Sequence, residues 1–239
     1  MKDMHFNGST NVIAHLQEQI RSLERGTCST ETTVRGTGFH GLNDLFPSQG
    51  IRQGSLVEWI SSGSASGAGT LSLLVAQQVA QKKSPIIIVD PECQTYPPAL
   101  SASGFDLSRV VIVRPACKRD VLWACEEILR CQAVGLVWMQ VDHLSLTAAR
   151  RLRLAVEKSK VICFLVRSSI ALRQSSWAEV RLLVSSLPAS DESPRYRISV
   201  AYCQGKTASS SVDIMISKHR GSIDDSHQLA TKNSLLLVS

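Results

Sequence analysis

The sequence predicts an α/β fold in which helices flank a mostly parallel central sheet. Residues 86–89 contain only Ile and Val, and such an unbroken run is typical of a strand buried on both faces of a parallel sheet. Residues 161–166 form a second apolar run of this kind. Between residues 56 and 76, a short apolar strand leads through a Gly/Ser/Ala-rich loop into an apolar helix, which is the order of a phosphate-binding strand–loop–helix unit.

Length and composition favour one globular domain inside the cell. The chain has 239 residues, of which 44% are apolar, and this suits a single α/β domain better than two small ones. No apolar stretch reaches the about 18 residues of a membrane span, and no signal-peptide pattern is present. Seven cysteines without a C-x-x-C pair indicate reduced thiols, with Cys163 in the core. We expect a cytoplasmic protein, and association with the nucleoid stays open.

A separate amphipathic helix is predicted at residues 9–25, followed by a polar linker. Its apolar residues recur at helical spacing and are Ile13, Leu16, Ile20 and Leu23. Such a stripe is compatible with packing on the same domain or with docking on a neighbouring subunit. We therefore assign residues 1–36 to this helix and its linker, residues 37–217 to the α/β domain, and residues 218–239 to a flexible tail.

The loop between the first apolar strand and its helix has the outline of a phosphate-binding P-loop without the lysine. A working loop reads G-x-x-x-x-G-K-[ST], because backbone N–H groups surround the phosphates, the lysine reaches the outer ones and the hydroxyl holds Mg²⁺. Here Ala68 replaces the second glycine and Gly69 replaces the lysine. The candidate phosphate-contacting residues are Gly63, Ser66, Gly67, Ala68, Gly69 and Thr70. An ordinary flexible turn has a similar composition and is the alternative.

After this unit the sequence continues with further helices and strands. A helix is predicted at residues 121–131 and a strand at residues 135–139. In the next helix Thr147 suits the N-cap, and the face that contains Leu152 is apolar. Strands are predicted at residues 177–184 and 196–202, joined by a turn that contains Pro188, Asp191 and Pro194.

The order of these segments resembles the core of the RecA recombinases. Residues 37–58 resemble the segment that leads into the P-loop of that family, and residues 177–184 resemble the strand after its second DNA-binding loop. Glu92 stands after a strand where the family places the acidic residue that polarises the attacking water. The resemblance covers about residues 37–205 and implies a RecA-like core. Glu92 is thus a vestigial catalytic candidate, with an exposed turn carboxylate as the alternative.

Further positions depart from the recombinase pattern. Gln140 stands where the Asp that organises Mg²⁺ is expected, and Asp142 lies two residues further along, a displacement of about 6–7 Å. Arg167 replaces a glutamine that senses the γ-phosphate. Nine residues join Arg167 to Trp177, so the long DNA-binding loop is largely missing. One charge-assisted contact to phosphate contributes about 1.5–3 kcal/mol, and one transition-state donor contributes about 10²–10³ in rate. We therefore expect the loss of the lysine, the second glycine and the Mg²⁺-organising Asp together to abolish useful hydrolysis.

A RecA-like chain with a degenerate P-loop and a short DNA loop resembles the ImuA family of bacterial mutagenic translesion synthesis. The resemblance implies a non-catalytic partner of the polymerase-like protein ImuB, working with an error-prone polymerase in the SOS response to DNA damage. No cofactor is then required, although binding of ATP and Mg²⁺ through Lys82 or Lys83 stays open. The alternatives are a DNA-stimulated ATPase with a non-standard P-loop and a cell-division inhibitor similar to SulA.

The charge pattern allows a nucleic-acid partner without requiring one. The net charge of +6 is spread along the chain, and its densest cluster is Arg150, Arg151 and Arg153. A solvated helix face with an Arg153–Glu157 ion pair is favoured over a DNA footprint. DNA contacts through this cluster and Arg173 stay open. The recombinase resemblance also implies homo-association through the helix at residues 9–25.

Overall fold

A computed structural model of the protein describes residues 33–81, 83–190, 193–205, 210–216 and 223–224. The predicted helix at residues 9–25 and Lys82 lie outside the described residues. Of the predicted tail, only Ile223–Asp224 is described, and it forms a short strand. In the part of the chain that the structure describes, no helix is both long enough and apolar enough to cross a membrane.

The strands of the described residues are β1 (Val34–Arg35), β2 (Ile51–Arg52), β3 (Leu56–Ser61), β4 (Ile86–Val89), β5 (Val110–Val113), β6 (Leu136–Gln140), β7 (Ile162–Arg167), β8 (Val180–Ser190), β9 (Ser193–Cys203), β10 (Ser211–Ile216) and β11 (Ile223–Asp224). Nine of them form a central sheet in the order β11-β10-β9-β8-β3-β7-β6-β4-β5. The six strands from β8 to β5 run parallel, and β9, β10 and β11 add an antiparallel extension next to β8. The other two strands, β1 and β2, pair separately.

The helices of the described residues are α1 (His40–Asn43), α2 (Ala68–Val79), α3 (Pro97–Ala102), α4 (Lys118–Leu129) and α5 (Leu146–Ser159), with 3₁₀ turns at Leu107–Arg109 and Ser169–Arg173. Helices cover both faces of the parallel sheet, so its central strands β3, β7, β6 and β4 are buried on both sides, whereas the edge strand β5 is partly exposed. On one face α2 packs over a core that contains Trp59 and Phe164, and on the other α4 and α5 pack over a core that contains Met139 and Leu165. Cys163 is buried in this second core, as predicted.

The predicted α/β class with a mostly parallel sheet is confirmed, but several element boundaries are corrected. Helix α5 begins earlier than predicted, because the Ser145 hydroxyl, rather than Thr147, caps it by accepting the Ala148 N–H at 3.2 Å. Strand β8 begins at Val180, so Trp177 belongs to the preceding loop and its ring is exposed.

The hairpin between β8 and β9 is longer than the sequence suggests. Pro188 and Pro194 lie inside the strands, and only residues 191–192 connect them. Pro188 falls where the register shifts between Leu187 and Ser190, and a proline is tolerated there because the ladder does not need its missing N–H. The predicted wide turn around both prolines is therefore wrong.

Candidate functional site

The loop between β3 and α2 is closed by hydrogen bonds among its own residues. The Ser66 side chain is buried, and its hydroxyl accepts the Ala68 N–H at 3.3 Å and donates to the Ser61 hydroxyl at 2.7 Å. The Ser61 hydroxyl donates in turn to the Gly63 carbonyl at 2.5 Å. An N–H at the start of the helix, which a phosphate-binding loop would direct at its ligand, is thus satisfied from within the loop.

Tyr196 of β9 packs directly against the loop at Gly67. A Cβ atom on Gly67 would lie 2.2 Å from Cε1 of the Tyr196 ring. Gly67 also has a φ of 81°, in the left-handed region that favours glycine. Glycine is therefore required at this position by both backbone conformation and contact, and the β8–β9 hairpin is fitted against the loop.

Replacing Gly67 with Ala is expected to destabilise the protein by about 2–4 kcal/mol, because the methyl group meets the Tyr196 ring in an unfavourable backbone conformation. Gly63→Ala is the matched control within the same loop, since a Cβ there meets nothing within 4 Å. We expect the control to change stability by less than about 0.5 kcal/mol. Urea unfolding measures both variants, and equal stability of the two would refute the packing described for Gly67.

The position of the missing lysine lies above a buried indole. A Cβ on Gly69 would lie 4.0 Å from Cζ2 of Trp138. The Trp138 indole N–H donates to the Ser72 hydroxyl at 2.8 Å, and that hydroxyl donates to the Gly69 carbonyl at 2.8 Å. The indole therefore anchors the N-terminal turn of α2 to strand β6 at the place where the loop meets the sheet.

The residues at this site do not fit a nucleotide with Mg²⁺. Gly69 supplies no cation, and the β6 strand ends in Gln140, whose amide is a poorer Mg²⁺ ligand than a carboxylate. The Ala68 N–H is already bonded to Ser66. Thr70 is exposed and is the remaining hydroxyl of the loop pattern. Within the described ranges, no group of three or more His, Cys, Asp or Glu side chains is placed to hold a metal ion.

Glu92 and Asp90 have different environments at the end of β4. Glu92 is exposed in a turn and forms no hydrogen bond or ion pair within the residues that the structure describes. Asp90 is buried and accepts the N–H groups of Gln94 and Thr95, each at 2.9 Å. Burial raises the pKa of Asp90, but the hydrogen bonds from Thr95 and Gln94, together with the charge of Arg114, outweigh burial and lower it. Asp90 therefore holds this turn in shape.

Asp90 should make stability depend on pH in the acid range. Its pKa is below the ordinary value of 3.8 in the folded protein, so its stabilisation is present above that value and is lost as the pH falls through the folded pKa. Melting temperatures of the native protein and Asp90→Asn, measured from about pH 7 to pH 2, provide the test. We expect the variant to lose less stability at acid pH, and parallel curves would contradict this role.

Arg167, a departure from the recombinase pattern, lies in a buried ionic network. Its Nη1 lies 3.1 Å from Glu58 Oε1, and Arg181 Nε lies 2.8 Å from Glu58 Oε2. The Glu58 side chain is 0% exposed and that of Arg167 is 1% exposed. Since Val166 packs in the core under α2, the alternating Arg167 points to the opposite face of the sheet.

The buried network holds the β7–β8 loop, residues 168–179, against the sheet. Ser176 donates its hydroxyl to Glu58 at 2.6 Å, and the Gln174 side-chain oxygen accepts from Arg167 at 2.5 Å. Arg181 also donates to the Ala171 carbonyl. The β7–β8 loop is therefore held against the sheet by buried charged side chains.

Asp142 fixes the same loop at its beginning. Its carboxylate accepts the Ser168 N–H at 3.1 Å, and its carbonyl accepts from Arg167 at 3.2 Å. Sequence reasoning did not identify Glu58 and Arg181 as partners. The sequence did contain one signal for this network, because Glu58 is a charged residue inside the apolar run of β3 and a buried charge requires a partner.

The arginines of α5 differ in their partners. Arg153 pairs with Glu157 at 2.6 Å, as predicted, and also lies 3.6 Å from Glu179. Arg151 pairs with Glu126 at 2.5 Å. The guanidinium of Arg150 instead lies 5.4 Å from the centroid of the Trp177 ring, an arrangement typical of a cation–π contact.

The comparisons with known proteins support the RecA-like fold and the ImuA resemblance. No model of a known protein family matches the chain. Protein ImuA of Caulobacter vibrioides, from strains NA1000 and CB 15, is 28% identical over 141 residues, which span 57% of this chain and 57% of each relative. The match thus covers little more than half the length of these relatives. The crystal structure of the RadB recombinase is 15% identical, with a TM-score of 0.62, and the alignment covers 79% of this chain and 97% of that one.

Proposed function

We propose that this protein is a non-catalytic, RecA-like accessory protein of the DNA-damage response, which acts in mutagenic translesion synthesis as a partner of a polymerase-like ImuB. The observation that carries the proposal is the closed loop, in which Ser66 occupies the Ala68 N–H and Gly69 supplies no charge. The similarity to protein ImuA supports the same assignment.

In this function the fold acts as a scaffold whose shape does not depend on a nucleotide. The Trp138–Ser72 hydrogen bond fixes the start of α2, and the packing of Tyr196 on Gly67 fixes the loop to the β8–β9 hairpin. Both contacts are made by the chain itself. The protein therefore presents its surfaces to a partner in one arrangement, and its contribution is binding and positioning.

Direct DNA contact is a secondary part of the proposal. Arg151 and Arg153 already pair with carboxylates, whereas Arg150 and Arg173 have no carboxylate partner among the described residues. Of these four arginines, Arg150 and Arg173 are therefore the ones available for phosphate contacts of the kind that recombinases make.

We also propose homo-association through residues 9–25 on the basis of their apolar stripe alone.

A DNA-stimulated ATPase is the second candidate. The exposed Thr70 hydroxyl in the first turn of α2 favours it, because the N-terminus of a helix attracts phosphate without a lysine. Phosphate release from ATP, measured with and without single-stranded DNA, separates the two candidates. Turnover that disappears in a Thr70→Ala variant would support the ATPase.

The scaffold proposal is tested by capture of the tagged full chain from cells after DNA damage. We expect ImuB and an error-prone polymerase to be recovered, and a strain that lacks this protein should lose damage-induced mutagenesis. A Gly69→Ala variant should restore mutagenesis as well as the native chain, since the position supplies no side chain to chemistry. Recovery of no polymerase or recombinase component would contradict the proposal.

A further inference from the structure

Exposed apolar side chains are concentrated on α5 and the β7–β8 loop. Five of the eleven large hydrophobic residues that are exposed among the described residues lie there, whereas such residues are normally scattered singly and a cluster marks an interaction site. We call this cluster the α5 surface. It consists of Leu146, Arg150, Leu154, Ile170, Leu172, Arg173 and Trp177.

The contact between Arg150 and Trp177 joins the helix and the loop in this surface. Leu146, Arg150 and Leu154 are spaced by one helical turn each and share one face of α5. Arg150 lies against the Trp177 ring, so the loop borders this face. Leu146 is 51% and Leu154 is 56% exposed, so the two leucines form a half-exposed apolar stripe along this face.

The part of the α5 surface that belongs to the β7–β8 loop is fixed by the buried ionic network. Ala171 is fully buried between the exposed Ile170 and Leu172, and its carbonyl accepts from Arg181. The buried network thus fixes the loop before a partner binds. A preorganised loop loses less entropy on binding.

The charge of the surface selects the kind of partner. Arg150 and Arg173 are exposed and have no carboxylate partner among the described residues. On the same helix, the carboxylate of Glu157 is already paired with Arg153. The surface therefore carries positive charge that an acidic partner would neutralise.

The aliphatic side chains favour a protein helix over a nucleic acid as the occupant. A single strand stacks its bases on aromatic rings, and Trp177 alone offers one here. Leu146 and Leu154 lie one helical turn before and one turn after Arg150. An amphipathic helix with apolar residues at intervals of three and four can pack its apolar face on these two leucines. We propose that the α5 surface binds an acidic amphipathic helix of the polymerase-like partner, an inference that rests on the proposed function.

The test is calorimetric titration of the full chain with purified ImuB of the same organism. The double variant Leu154→Ala/Trp177→Ala should bind about 30-fold more weakly, because it removes the apolar centre of the contact. Arg150→Glu should weaken binding about 10-fold or more, and Arg150→Lys should retain most of it. Trp123→Ala is the matched control, since this indole is 63% exposed on α4 and should leave affinity within about 2-fold.

Competition identifies the chemistry of the occupant. A synthetic amphipathic helix with leucines on one face and glutamates on the other should displace ImuB, and its lysine-substituted counterpart should not. Failure of the native chain to bind ImuB would overturn the proposed function. Binding that is unchanged in the double variant would overturn only the α5 surface, as would displacement by a thymidine 20-mer but not by the acidic peptide. Thermal unfolding confirms that each variant is folded.

Discussion

Replacing Glu58 with Gln is expected to lower the free energy of unfolding by about 3–5 kcal/mol, because it leaves buried charges without their counterion. Arg167 and Arg181 both pair with this carboxylate, and Arg167 is nearly inaccessible to water. The network also holds Ser176, so the β7–β8 loop should loosen at the same time. Urea unfolding measures the stability, and limited proteolysis detects the loosened loop.

Glu157→Gln is the matched control, because it also removes a carboxylate that faces an arginine. Glu157 is 47% exposed, and its partner Arg153 retains a contact with Glu179. An exposed pair of this kind contributes about 1 kcal/mol or less. A similar loss in both variants, or no loss for Glu58→Gln, would show that the buried network does not hold the fold as described.

Replacing Trp138 with Ala is expected to cost about 3–5 kcal/mol, since it removes a large buried side chain and leaves a cavity. The effect should extend to the loop, because the indole N–H bonds to Ser72 in the first turns of α2. Hydrogen exchange should therefore accelerate at residues 68–72 more than at the far end of that helix.

The control for this variant is Trp123→Ala on α4. Its indole is mostly exposed, and such a substitution usually changes stability by less than about 0.5 kcal/mol. Trp138→Phe separates the contributions, because it retains most of the apolar volume and loses the hydrogen bond to Ser72. We expect this variant to cost about 1–2 kcal/mol. A Trp138→Ala protein as stable as Trp123→Ala would contradict the anchoring role.

The framework of the fold was predictable from local sequence patterns. The Ile/Val run at residues 86–89 identifies a strand that is covered on both faces, and the apolar segments around residues 63–70 identify a strand–loop–helix unit. Both patterns depend only on residues that are close together in the sequence. Strands that are covered on both faces and joined through helices are typical of a parallel sheet, so the sheet type was predictable as well. Boundaries were less predictable, since Ser145 and Thr147 are both good N-cap residues and only the packing of α5 decides between them.

The geometry of the site depends on contacts between residues far apart in sequence. Tyr196 reads as an ordinary strand residue, and nothing near it indicates that it packs on Gly67. Arg167 follows an apolar run at the end of a strand, where an alignment by order places it at the nucleotide. Its orientation is decided by Glu58, which lies on a neighbouring strand. Because successive residues of a strand point to opposite faces, the Arg167 guanidinium lies on the face of the sheet opposite to Val166.

The most direct test of a nucleotide-independent scaffold is calorimetric titration of the full chain with ATP and Mg²⁺, alongside the Gly69→Lys variant. The variant is structurally feasible, because a side chain at this position starts at ordinary contact distance from Trp138. We expect no binding at micromolar concentrations by the native chain and measurable binding only after the lysine is introduced. Micromolar binding by the native chain would contradict the scaffold assignment and show that another residue supplies the missing charge.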